Sequence, residues 1–429
     1  MKKKIVSALL CVAMAASLVV GCGSKSGSDS GSSKGGDKLV YWAMWSEDEP
    51  QAKVIKEAIS KYEKDTGVKV DVQFKGRTGQ REGLEPALSA KQQIDLFDED
   101  VNRVNGSWGK FLLDLEDMAK DYESEHGNET LFKIARNAYG QTHDGDDALH
   151  SIPYQPSIFG FFYNKTLFTK AGIESVPTTW EEFEEACKAT TNSAEGVYGF
   201  AMCDIATEEG TFQILPWIYS AGGNIDDLTS AESTKAVQFL TDLVQNGYMS
   251  KEVVNWQQSD AYNAFTSGKA AMFESGTWQL ADIDEKINGS FNYQYTLLPK
   301  DKEYASTIGG ENFGVCTGSE YKDECVDFLK FLMNAENNAD FTAAAAKLPV
   351  RKDAVGLKDL WTTDDRYVVF NDAMNYAKAR GPHAQWPTLS EALYTGVQQA
   401  LLGEKSVEDA MKEAQAKIDP IVAEDPLPD

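Results

Sequence analysis

Histidine and basic residues are the scarce components of this chain. Four histidines stand among 429 residues, and none sits in a His-Glu-x-x-His run or in a nucleophile–base motif. Metal-assisted and triad hydrolysis therefore lack their local signatures. Lysine and arginine total 41 against 67 aspartates and glutamates, a formal net charge of −26. A surface of that sign repels nucleic acid and anionic lipid, which excludes nucleic acid as a partner and membrane contact by charge. The acidity is spread along the chain, and 42% apolar residues argue for a packed body, not disorder.

Long apolar runs are missing beyond Val20, so no later segment is expected to span a bilayer. Ahead of that point, Lys2, Lys3 and Lys4 precede an apolar stretch, residues 5–20, too short and too rich in small residues to span comfortably. The stretch ends in Val19-Val20-Gly21-Cys22, which looks like a bacterial lipobox. By that resemblance residues 1–21 are a lipoprotein signal peptide, and Cys22 carries a diacylglyceryl group. Two acyl chains hold a protein at a membrane where one is marginal. The Gly/Ser-rich tract that follows, residues 23–37, reads as a flexible tether, so the folded body should begin at Lys38. The expected location is the extracellular face of a bacterial cell membrane, lipid-anchored.

Cysteine is also sparse. With Cys11 in the leader and Cys22 lipidated, Cys187, Cys203, Cys316 and Cys325 remain, and their three possible pairings are equivalent on sequence. None has zinc-site spacing. Buried free thiols are expected, with a Cys187–Cys203 bridge as the leading exception. The run 143–147, His-Asp-Gly-Asp-Asp, offers oxygen ligands but lacks the rest of an EF-hand loop, and reads as a solvated turn. Neither metal nor cofactor is expected.

What is present is alternation and helical periodicity over a length suited to two lobes. Residues 39–45 and 68–74 read as strands around a helix over 50–63 that faces inward with Val54, Ile55, Ala58, Ile59 and Tyr62. Strand, helix, strand at this spacing is a βαβ unit, hence parallel sheet. Further helices are predicted over 235–246, 260–267, 389–402 and 407–418, and a short strand over 270–273. Thr178 and Thr179 open another helix, their Thr-x-x-Glu spacing forming a capping box.

Residues 153–183 carry the most specific pattern. Gly160, Phe161-Phe162, Tyr163-Asn164, Phe168 and Lys170 lead into Pro177 and Trp180-Glu-Glu-Phe183. The passage resembles the signature of the maltose-binding-protein-like solute-binding family, the extracellular sugar-binding proteins of ABC importers. In order follow Ala221-Gly-Gly-Asn224, Phe265-x-x-Gly268, Gly276-Thr-Trp278, Leu298-Pro299, Cys325-x-x-Phe328 and Leu348-Pro-Val-Arg351. The resemblance implies an α/β, two-lobe periplasmic-binding-protein-like fold of class II type, its hinge-linked lobes enclosing a ligand cleft. Carried onto this chain, lobe one is 38–156 with 317–362 and lobe two 157–316 with 363–429. The crossings then fall near 155–159, 313–317 and 362–365.

A sugar presents hydroxyls to planar hydrogen-bonding groups and C–H patches to aromatic faces. The implied ligand-side residues are of these kinds. Trp45 and Glu47 lie on the first loop, with Trp42 in the core by strand alternation. Arg77 (with Arg81 nearby) follows the second strand. Asp98, Glu99 or Asp100 lies on the loop after the third. Tyr154, Gln155 and Ser157 lie at the first crossing, and Phe212 or Trp217 forms a wall. Trp278 is the stacking platform, Glu311 and Asn312 precede the second crossing, and Arg351 and Trp386 complete the set. No catalytic residue is expected.

The implied function is capture of an oligosaccharide by a monomer and its delivery, by hinge closure, to the transmembrane subunits of an ABC permease. Two rivals stand beside it. An extracellular glycoside hydrolase lipoprotein would need two carboxylates across the cleft. A binding protein of the same fold for a non-sugar solute would show basic cleft walls for phosphate, or dense carboxylates for a polyamine.

Overall fold

The computed structural model describes residues 38–427, apart from 126, 128, 141, 144, 381, 382 and 384. The leader, Cys22 and the tether lie outside the described residues. Strands β1 (Leu39–Ala43) and β2 (Val70–Phe74) pair in parallel, Leu39 opposite Val70, around the helix Pro50–Thr66. Pro50 starts that helix, where its missing N–H costs nothing, and Gly67 ends it at φ +79°. The helix buries Ile55, Ala58, Ile59 and Tyr62, four of the five apolar positions predicted to face inward. Of the two threonines predicted to open the next helix, Thr179 is the cap and forms the capping box with Glu182.

Strand β3 (Leu96–Asp100) adds to β1 in parallel. Then come β4 (Ile152–Asn164), β5 (Tyr198–Ala201), β6 (Ala270–Gly276), β7 (Tyr293–Thr296), β8 (Ser306–Val315) and β9 (Ala377–Ala379). They form one sheet in the order β2-β1-β3-β8-β4-β6-β5, with β7 against β4 and β9 against β8. β4 changes company along its length. Residues up to Ile158 pair with β8, and from Phe159 the partners are β6 and β7. β8 does the same, lying on β9 from Ser306 to Ile308 and on β3 from Glu311 onward.

Apolar burial gathers at both ends of this sheet, and two lobes result. At the first end Tyr41, Ile55, Phe132, Phe313 and Phe328 share a core, with Trp42, Leu84, Phe97 and Trp108 on the other face. At the second end Phe161, Phe183, Trp217, Leu393 and Met411 pack together, beside a cluster of Phe162, Phe265, Phe273 and Phe370. Leu348, Ala354 and Trp361 join that last cluster, whereas Val350 belongs to the first core, so the segment 348–361 lies against both. Cys187, Cys203, Cys316 and Cys325 are free and buried, and burial pushes their thiols up. Among the described residues no helix is long and apolar enough to cross a membrane.

Candidate functional site

Charged side chains converge where β3 ends and where β4 and β8 pass between the lobes. Glu99, fully buried at the end of β3, accepts two hydrogen bonds from Arg81, at 2.9 and 3.3 Å. Arg81 and Arg77 belong to the helix Gly76–Ser89, not to a loop as their position after a strand suggested. Arg77 pairs with Glu49 at 3.0 Å, and its guanidinium lies 4.8 Å from the Trp45 ring centre. Asp100 accepts from Arg380, which also donates to Glu208 at 2.5 Å. Burial disfavours the Arg380 charge, but Asp100 and Glu208 outweigh it and hold the group above its ordinary range.

On the crossing strands, Gln155 donates to Glu311 at 2.8 Å. Lys347 donates to both oxygens of Glu311, at 2.7 and 2.8 Å, and to Ser157 at 2.6 Å. Burial pulls the Lys347 ammonium below the usual lysine range, and Glu311 opposes the shift. Its nitrogen sits 5.9 Å from the Trp278 ring centre. Trp278, half-buried, meets Phe159 edge-on at 5.4 Å, and Phe159 meets Phe212 at 4.3 Å. The Arg380 guanidinium lies over the Phe212 ring, 4.2 Å from its centre. Of these three rings only Trp278 keeps part of its surface open; Phe159 and Phe212 are buried behind it, with Lys347 near the one end and Arg380 near the other. A Cβ on Gly276 would collide with the Trp278 ring, so that glycine lets indole and backbone approach closely.

Arg77, Arg81 and Lys347 each hold one carboxylate and Arg380 holds two, so the group is polar, with four cations set against five carboxylates. Among the described residues no group of three or more His, Cys, Asp or Glu could hold a metal ion.

Several expected site residues sit elsewhere. Trp45 is 1% exposed and packs edge-on against Phe341 in the first core. Glu47 faces solvent and pairs with Lys56. Asp98 is buried inside the first lobe, accepting from Tyr154 at 2.6 Å, Tyr41 at 3.0 Å and the Met44 amide at 3.1 Å. Burial raises its carboxyl to about 7 against those hydrogen bonds. Tyr154 is held there too, stacked on Phe313 at 4.2 Å. Asn312 donates to Ser151 in the same interior. Trp217 belongs to the second core, its indole N–H on Glu274 at 2.9 Å. Arg351 reaches Asp353 and the Met333 carbonyl, and Trp386 donates to Glu208 from behind.

Gathered around the end of β3 and the crossing strands are therefore Arg77, Glu99, Asp100, Gln155, Ser157, Phe212, Trp278 and Glu311. Lys347, Arg380, Glu208 and Phe159 join them without having been expected as ligand-side residues. No local motif marks the first three, and Phe159 stands out in the sequence only as part of the first crossing.

Residues 57–367 match the family described as bacterial extracellular solute-binding protein. A galactooligosaccharide-binding protein of Bacillus subtilis is 26% identical over 369 residues, covering 82% of each chain. The diacetylchitobiose binding protein DasA of Streptomyces coelicolor is 25% identical over 375 residues, 81% of this chain and 82% of its own. Among solved structures, an ABC transporter solute-binding protein from Thermotoga lettingae, bound with α-D-tagatose, superposes with a TM-score of 0.76. It is 25% identical, and the match covers 90% of this chain and 100% of that one.

Proposed function

The chain belongs to the bacterial extracellular solute-binding proteins, and from that premise we propose that it binds a neutral oligosaccharide in the cleft between its lobes and hands it to an ABC permease. The observation that carries the reading is Trp278: a half-buried indole on the cleft floor beside paired, hydrogen-bonding charges. C–H faces pack on the ring, and hydroxyls meet carboxylate, amide and guanidinium edges. Binding is completed by closure, because ring and acids come from different lobes and a ligand touching both favours the closed state. We take the lobes as 38–156 with 317–362 and as 157–316 with 363–429, the segment 348–361 lying against both cores.

The charge balance weighs against the non-sugar rivals. A phosphate pocket wants unpaired cations and a polyamine pocket unpaired carboxylates; here each cation already holds a carboxylate. Hydrolysis is disfavoured on the same ground, since a general acid needs an environment that keeps its proton, not an adjoining ammonium or guanidinium. The carboxyls that burial does push up, Asp98, Asp204 and Glu274, are all fully buried in the protein interior. Accordingly the chain carries out no chemistry, and transport work falls to other polypeptides. Anchoring through Cys22 and a monomeric state complete the proposal.

Calorimetric titration against a panel of neutral oligosaccharides tests it. Saturable binding of at least one, with no new reducing ends after incubation, is the expected outcome. Release of reducing ends, or binding of spermidine or glycerol phosphate with no oligosaccharide bound, would overturn it.

A further inference from the structure

Asp100 closes β3 in the first lobe, whereas Glu208 opens the helix Glu208–Ala221 in the second. Between them lies Arg380, one residue beyond β9 and 4% exposed. One terminal nitrogen donates to Asp100 and the other to Glu208 at 2.5 Å. Glu208 is itself fixed from behind by Trp386, at 3.0 Å, and by Ser390, at 2.7 Å. A Cβ on Gly309 would come within 2.9 Å of Arg380 Nη2 and 3.3 Å of Asp100 Oδ2, so the bridge lies directly over crossing strand β8.

We propose that Arg380 is a positioning residue that clasps the two lobes across the cleft floor and thereby sets how far the empty protein stands open. The inference rests on the two-lobe binding reading above and adds a named determinant of its closure. Without the guanidinium, Asp100 and Glu208 become two carboxylates facing each other across the gap. Removing it therefore turns an attraction between lobes into a repulsion. Apparent affinity follows, because a ligand bound by the closed form is held in proportion to the fraction of molecules that close.

Small-angle X-ray scattering of the ligand-free protein tests the clasp. Arg380→Gln should enlarge the radius of gyration. Asp100→Asn, which leaves the Arg380–Glu208 pair intact within the second lobe, should enlarge it less. In the double variant Arg380→Gln/Asp100→Asn the repulsion is gone, so its radius should fall back to that of Asp100→Asn. A merely structural role for Arg380 does not produce this recovery. Equal radii for Arg380→Gln, Asp100→Asn and the unaltered protein would overturn the proposal, as would a double variant as expanded as Arg380→Gln. Should Arg380→Gln fail to fold, Asp100→Asn alone decides: expansion supports the clasp and an unchanged radius removes it. No sugar enters the measurement, so failure of the clasp and failure of oligosaccharide binding are separate results.

Discussion

Trp217 and Trp278 belong to the same lobe and offer a sugar the same indole ring, yet their surroundings differ in kind. Trp217 is caged by Trp180, Phe183, Phe200 and Phe239 at 5.4–5.8 Å, and Glu274 takes its N–H. Every face and the polar edge are occupied inside the protein. Trp278 has Phe159 against it and Lys347 near it, and it keeps part of its surface open. A ring serves as a platform only where the protein leaves a face unfilled. The first lobe repeats the contrast with acids: Asp98 is spent on Tyr41 and Tyr154, whereas Glu99 and Asp100 face arginines at the cleft.

Breaking the caged member of the first pair gives the largest expected effect. Trp217→Ala should lower stability by about 3–5 kcal/mol through the cavity it leaves, with the Glu274 partner lost besides. Thermal unfolding would show this, while molecules that remain folded keep their ligand affinity. A small change in midpoint would mean that the cage is not a core.

Asp98 comes next, and its signature is pH dependence. Its carboxyl sits at about 7 in the folded protein against an ordinary 3.8, chiefly through burial. Between those two values the folded state keeps a proton that the unfolded chain has released. The stability this contributes is full below the ordinary value and is lost as pH rises through about 7. Within that window the loss is about 1.4 kcal/mol for each step of one in pH. Asp98→Asn should flatten that part of the profile, read by urea unfolding from pH 4 to 8. An unchanged slope would assign the dependence to other groups.

These contrasts also mark how far sequence carries. β1, β2 and the helix Pro50–Thr66 were legible because periodicity and end signals such as Gly67 are local. The Thr179 cap was legible for the same reason. The cleft was legible in part: two of the proposed cleft residues stand where strands end, Asp100 on β3 and Trp278 just past β6, whereas Glu311 lies in the middle of β8. Their partners were not: Arg380 meets Asp100 across 280 residues, and Lys347 meets Glu311 across 36. Such pairs leave no spacing to read. Trp45, which the family resemblance sets on the first ligand loop, is buried because Phe341, from a distant segment, packs against it.

Trp278→Ala sharpens the first contrast from its other side. Oligosaccharide affinity should fall by about 2 kcal/mol, roughly 30-fold, as for removal of a central aromatic anchor. The unfolding midpoint should move little, because the ring is only part of the core's edge. Unchanged affinity by calorimetry would take Trp278 out of the site.

The smallest effect should come from Glu47, the expected ligand residue that the fold turns outward. Its side chain is 76% exposed, and its partner Lys56 is 47% exposed, a pair of the kind that solvent and salt screen almost completely. Glu47→Gln should therefore leave both stability and affinity essentially unchanged. Glu99, set beside it, is fully buried on Arg81 at the cleft, so Glu99→Gln removes a charge that Arg81 depends on and should weaken binding measurably. Titration of the two variants with the same sugar separates a loop that touches ligand from one that merely ends a strand. If Glu47→Gln costs as much affinity as Glu99→Gln, the first loop turns inward on closure, and the division between cleft acids and surface acids drawn from these contacts is wrong.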